Sequence, residues 1–77
     1  MTPRYSKQAR KFLAKQGENV ETRIRAAADK LPLGDVTKMN GYTDRYRLRV
    51  GDYRIIFTRE DNGIYVRRIE NRGQVYK

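Results

Sequence analysis

The sequence contains no cysteine and no histidine. No disulfide can form, and a zinc site or any other His/Cys metal site is excluded by composition. Lack of histidine also removes the usual general acid/base near neutral pH. No long apolar run is present, and the opening MTPRYSKQARKF reads as neither a signal peptide nor a membrane span. These absences fit a soluble protein of a reducing compartment, and a cytoplasmic location is expected. No internal repeat, low-complexity tract or linker interrupts the chain. A length of 77 residues allows one domain, residues 1–77, with a thin core.

What the sequence does have is positive charge. Lys and Arg total 18 against 9 acidic residues, a net charge of +9. Such an excess on so short a chain implies an anionic partner: nucleic acid, an acidic protein or a membrane surface. Arginine outnumbers lysine twelve to six. Its planar fork matches phosphates and bases better than the point charge of lysine.

The apolar periodicity divides the chain into a helical half and a strand half. Ser6 can cap a first helix over Lys7 to Gln16, ended by Gly17. Ala9, Phe12 and Leu13 share one stripe of it. A second helix starts near Asn19 and stops before Pro32, with Val20, Ile24, Ala27, Ala28 and Leu31 at helical spacing. The short QGEN connection predicts an antiparallel helical hairpin. Pro32 to Asp44 carries Pro, two Gly and Asn and reads as a loop. Arg45–Val50 alternates strictly, Gly51-Asp52 makes a two-residue turn, Tyr53–Thr58 is a second strand and Ile64–Ile69 a third. The tail leaves the sheet at Gly73. The predicted fold is α+β, a helical hairpin packed on a small twisted antiparallel sheet of three to four strands.

Register then places the arginines. With Gly51 and Asp52 as the turn, Val50 faces Tyr53, Leu48 faces Ile55 and Tyr46 faces Phe57, an apolar side for the helices to cover. Arg49 falls opposite Arg54 and Arg47 opposite Ile56, on the other side. The next turn is either Asp61-Asn62 or Asn62-Gly63, and both give the same facing. Strict alternation puts Ile64, Val66 and Arg68 on the apolar side, and Tyr65, Arg67 and Ile69 on the open side. The open side therefore collects Arg45, Arg47, Arg49, Arg54, Arg67 and Tyr65. Two arginines directly across a hairpin repel, by a few tenths to about 1 kcal/mol. Neither of these two strands contains an acid to offset that, whereas an anionic ligand between the guanidinium groups would reverse its sign.

A basic sheet with a tyrosine is a suitable seat for RNA. Catalysis is harder to derive. Arginine holds its proton too firmly to act as an ordinary base. Proton transfer is left to tyrosines, Lys77 and acids such as Glu70, while arginines can stabilise charge on a pentacovalent phosphate. Tyr5, just before the first helix, reads as packing. Tyr76, in RGQVYK, either anchors the tail or has a functional role. The residues alone support binding RNA phosphates better than cutting RNA.

The segment KMNGYTDRYRLRVGDYRIIF, followed by IYVRRIENRGQVYK, resembles the RelE/ParE family of type II toxin–antitoxin toxins. The likeness covers residues 38–77, about half the chain, and the helix pair before it also lies where the family places one. It implies a RelE-like toxin that enters the ribosomal A site and cuts mRNA, by attack of the ribose 2′-OH on the adjacent phosphate. By position, Arg47 and Arg49 match a pair of basic residues on the first hairpin strand. Arg54 matches an arginine implicated in phosphate stabilisation. Arg72 matches a basic residue after the last strand, and Tyr76 a tyrosine that stacks on a base or assists proton transfer. Arg45, Tyr65, Arg67 and Lys77 are then expected to bind the flanking RNA.

Two departures stand out. Such toxins often carry lysines where Arg47 and Arg49 stand, and arginine there weakens a general-base role and leaves electrostatic stabilisation. The family also opens with a strand, for which MTPRY leaves little room. A missing strand would leave an edge for a partner to cover. The resemblance implies a RelB-like antitoxin as partner, with ribosome and mRNA as targets and operator DNA bound only by the toxin–antitoxin complex. It implies no membrane, no metal and no organic cofactor. A ParE-like DNA gyrase inhibitor and a non-toxic basic nucleic-acid-binding module are the alternatives, since one scaffold serves several functions.

Overall fold

The computed structural model describes residues 2–71. Its elements are β1 (Arg4–Tyr5), α1 (Lys7–Ala14), α2 (Glu18–Asp29), β2 (Val36–Lys38), β3 (Arg45–Val50), β4 (Tyr53–Glu60) and β5 (Gly63–Asn71). The strands form one sheet in the order β1-β5-β4-β3-β2. The β1–β5 pair is parallel, and the other neighbours are antiparallel. This is the α+β architecture expected, with five strands in place of three to four. The additions are the two edges. β2 lies inside the stretch read as a loop, and β1 is the short opening strand. Elements of two and three residues are too brief to show a period, so alternation could not reveal them.

Ser6 connects β1 to α1 and does two jobs. Its Oγ accepts from the Ala9 N–H at 3.1 Å, capping the helix as its type predicts. The same Oγ donates to the Arg67 carbonyl at 2.6 Å. Beyond it Gln8 acts as a substitute for further strand: its Nε2 donates to the Ile69 carbonyl at 3.0 Å, and its Oε1 accepts from the Ile69 N–H at 2.9 Å. Backbone groups of β5 that the two-residue β1 cannot reach are thereby satisfied. Gly17 caps the start of α2 in an extended conformation, rather than ending α1.

α1 packs on β5 and α2 on β3, so the helices cover different halves of one sheet face. Ala9 and Leu13 from α1 and Ile24 from α2 bury themselves against Leu48, Ile55, Phe57, Val66 and Ile69. The β3–β4 register is the one the alternation requires, with Val50 opposite Tyr53, Leu48 opposite Ile55, and Arg49 opposite Arg54. Gly51 has φ +57° at the first turn position, a conformation costly for residues with a Cβ. The second turn is Asp61-Asn62, since Glu60 pairs with Gly63.

In β5 the strict alternation fails. Phe57 pairs with Val66 and Ile56 with Arg68, leaving Arg67 as an extra residue in a β-bulge. Arg68, expected on the apolar side, therefore lies on the open side. Ile69, expected on the open side, is 1% exposed in the core opposite Ile55. The physical reason lies in the order Val-Arg-Arg-Ile. Continuous period two would bury a guanidinium and expose an isoleucine, and an uncompensated buried charge costs far more than a bulge. Ile69→Ala should accordingly destabilise by about 2–5 kcal/mol, and Arg68→Ala by no more than about 1 kcal/mol. Urea unfolding of the two variants checks the bulge, and the reverse order contradicts it.

Candidate nucleic-acid interface

The face away from the helices is built in cross-strand rows over β3, β4 and β5. Arg45, Thr58 and Tyr65 form one row, Arg47, Ile56 and Arg68 the next, and Arg49, Arg54 and Glu70 the third. Arg67 stands beside these rows at the bulge. The described structure thus brings together Arg45, Arg47, Arg49, Arg54, Tyr65 and Arg67, as the register predicts. Arg72, Tyr76 and Lys77 lie outside the described residues. Sequence reasoning puts Arg68 on the wrong side and names Glu70 only as a candidate for proton transfer, not as a member of this face. The signal that could have found them is the three-residue step from Val66 to Ile69, which period two cannot accommodate.

Glu70 explains why Arg49 and Arg54 tolerate each other. Its Oε1 accepts from Arg54 Nε at 3.0 Å and lies 2.9 Å from Arg54 Nη2, while its Oε2 accepts from Arg68 Nε at 2.9 Å. On the other flank, Asp35 lies 4.0 Å from Arg49. The third row therefore runs acid, arginine, arginine, acid. The acids come from a loop and from β5, outside the hairpin whose strands have none facing each other. Repulsion across the hairpin is offset within the protein, so folding does supply a reason for the arrangement. The Asp35 pair is well exposed and contributes little. Burial pushes the Glu70 carboxyl pKa up, but hydrogen bonding from Arg68 and the charge of Arg54 outweigh it and hold the pKa below the ordinary glutamate range. So held, Glu70 is a poor proton acceptor.

At the other end of the face the tyrosines meet cations. Arg4 and Arg67 approach the Tyr65 ring, with guanidinium carbons 4.9 Å and 5.5 Å from its centre. Arg45 lies 4.5 Å over Tyr42. Such cation–π contacts hold flat groups ready for stacking. Arg4 is also ion-paired to Glu60. Thr58, between Arg45 and Tyr65, is 3% exposed, and its hydroxyl has no hydrogen-bond partner among the described residues. Tyr5 packs against the core, as read from sequence. Among the described residues, no group of three or more His, Cys, Asp or Glu gathers to hold a metal, and no helix is long and apolar enough to cross a membrane.

The face can engage a run of phosphates at several guanidinium groups and offer tyrosines to bases. A depressed Glu70 pKa adds stability that is present in full above the ordinary glutamate range and is lost as pH falls through that range and below it. Glu70→Gln should therefore flatten the acid side of the stability profile and leave the slope near neutral pH unchanged. Urea midpoints measured from neutral to acid pH check this, and an unaltered acid slope contradicts the ion-pair assignment.

The family model described as the ParE toxin of type II toxin–antitoxin systems, parDE, matches residues 4–76. No curated protein matches the chain. Among solved structures, the RelB–RelE antitoxin–toxin complex of Methanococcus jannaschii is similar at 28% identity and TM-score 0.74, covering 95% of this chain and 94% of that one. The RelE–RelB complex of Pyrococcus horikoshii is similar at 28% identity and TM-score 0.73, covering 97% of this chain and 100% of that one. The RelBE2 complex of Mycobacterium tuberculosis, at 20% identity and TM-score 0.76 over 92% and 96% of the two chains, shares the fold. With a family match running through both helices and the whole sheet, the chain belongs to the RelE/ParE family of type II toxin–antitoxin toxins.

Proposed function

We propose that this toxin is a ribosome-dependent endoribonuclease that cleaves translated mRNA in the A site and so inhibits translation. The observation that carries the reading is the convergence of Arg45, Arg47, Arg49, Arg54, Arg67 and Arg68 on the face left open by the helices. Likeness to two RelE structures at 28% identity supports it.

In this reading the ribose 2′-oxygen attacks the adjacent phosphorus, the bond from phosphorus to the 5′-oxygen breaks, and a 2′,3′-cyclic phosphate and a 5′-hydroxyl result. Arg54 and Arg72 stabilise the extra charge on the pentacovalent phosphate. Arg47 and Arg49 hold the backbone and keep the charge field positive. Arginine at these two positions confines them to electrostatic work. Tyr76 stacks on a base or moves a proton, and Arg45, Tyr65, Arg67 and Lys77 bind the flanking nucleotides. The protein works in the cytoplasm, where ribosomes translate. Its partner is a small RelB-like antitoxin whose acidic or amphipathic segment covers the basic surface, and the complex binds its own operator DNA.

A ParE-like reading, in which the same scaffold inhibits DNA gyrase without catalysis, is favoured by the description of the matching family model. Mapping transcript 5′ ends after a short induced pulse separates the two. Endonuclease action predicts growth arrest with new ends inside translated codons. Gyrase inhibition predicts filamentation and DNA damage with intact mRNA, and that outcome overturns the proposal. Arg54→Ala or Tyr76→Ala should lower cleavage roughly 10²-fold or more while circular dichroism stays native. Undiminished cleavage by either variant contradicts its assigned role.

A further inference from the structure

Glu70 is the one acid that β3, β4 and β5 contribute to the three rows of the open face, and it sits where two guanidinium groups converge. Its oxygens divide the work: Oε1 takes Arg54 and Oε2 takes Arg68. A phosphodiester presents the same pattern, one negative charge shared by two non-bridging oxygens, and arginine binds the two kinds of group with the same fork. Arg68 reaches this point because of the bulge, a device that re-aims side chains at functional edges.

We propose that Arg54 and Arg68 form a seat for one phosphodiester of an RNA strand, filled in the free protein by the Glu70 carboxylate, which the phosphate displaces. The seat rests on the reading of this face as an RNA-binding surface. Three features make the exchange feasible. The Arg54 and Arg68 side chains are 34% and 56% exposed, so a strand can reach both without unfolding anything. The arginine side of the Arg68–Glu70 pair is open to water, where such contacts are weak enough to give way to a competing anion, while the carboxylate itself is 28% exposed. Arg49 lies beside Arg54 in its row, and Arg47 stands across Ile56 in the row of Arg68, so a strand entering the seat gains neighbouring phosphate contacts, and counterion release, that an isolated anion does not. Glu70 thus has two effects. It fixes both guanidinium groups in place before RNA arrives, and it sets a threshold that favours a polyanion over single phosphates. In this scheme Glu70 is a positioning residue.

The test is fluorescence anisotropy of the full chain with a labelled single-stranded RNA carrying 2′-O-methyl groups throughout, which cannot be cut, over a range of salt. Glu70→Gln should bind about three- to tenfold tighter than wild type, because the phosphate no longer has a carboxylate to displace, with a similar log–log salt slope because the same phosphates are contacted. Glu60→Gln removes the same charge from the Arg4 pair and should change affinity less than about twofold. In an Arg54→Gln, Arg68→Gln background the gain from Glu70→Gln should vanish. A folded Glu70→Gln with unchanged or weaker affinity overturns the seat. So does an equal gain from Glu60→Gln, or a gain that persists without both Arg54 and Arg68. If Glu70→Gln does not fold, the Arg68 Nε–H resonance of the wild type decides: a shift on saturation with the oligonucleotide is expected, and no shift overturns the seat. Failure of all forms to bind contradicts the RNA-binding face itself. Binding without an effect at Glu70 removes the seat alone, and neither result depends on whether mRNA is cut.

Discussion

Burying Ile69 beside Ile55 while Val66 stays against Phe57 requires an extra residue in β5, and Arg67 supplies it. Much else depends on that constraint. It keeps the core of a very small domain continuous, since Ile69 and Val66 both belong to the one buried cluster. It also sets two consecutive arginines on the opposite surface, where a regular strand would have sent one into the core. On the other side of β5 from β4, where the two-residue β1 runs out, Ser6 and Gln8 bond to Arg67 and Ile69 with side chains. Sequence far from the sheet is thereby tied to its most irregular strand.

The same economy shapes the charged surface. Two short helices can cover only one face of the sheet, so the other is left without helices. On a chain of net charge +9, that face is cationic, with acids placed at its flanks. Glu70 and Asp35 stand outside the β3–β4 hairpin and relieve the arginines within it. Stability and binding therefore draw on the same side chains. The carboxylate that quiets the cluster in the free protein is, in the proposed seat, also the group an incoming phosphate replaces.

The β3–β4 hairpin could be read from sequence alone because alternation is strict and a two-residue turn with glycine first permits one register. Burial of Ile24, Leu48 and Phe57 follows from the same periodicities. β5 could not be read in full, because its period changes inside the strand and only the long-range demand for Ile69 in the core reveals the change. The edges are hard to read for another reason: β2 reads as loop and β1 as a short or missing strand, because both gain their geometry from the neighbours they pair with and so few residues carry no pattern of their own. At the site, the arginines of β3 and β4 follow from register. Glu70 does not, since its partners come from across the sheet and from two positions away on its own bulged strand. The resemblance carried by residues 38–77 supplied the family that the comparison over residues 4–76 shows.

The central claim is that RNA docks on the sheet face opposite the helices, although α1 also carries exposed cations at Lys7, Arg10, Lys11 and Lys15. The most direct measurement is a map of backbone amide shifts across the chain as an uncleavable single-stranded RNA is titrated in. The account predicts perturbations along β3, β4 and β5 at Arg45, Arg47, Arg49, Arg54, Arg67 and Arg68, with α1 unaffected. Perturbations centred on the outer surface of α1, with the sheet silent, would contradict it.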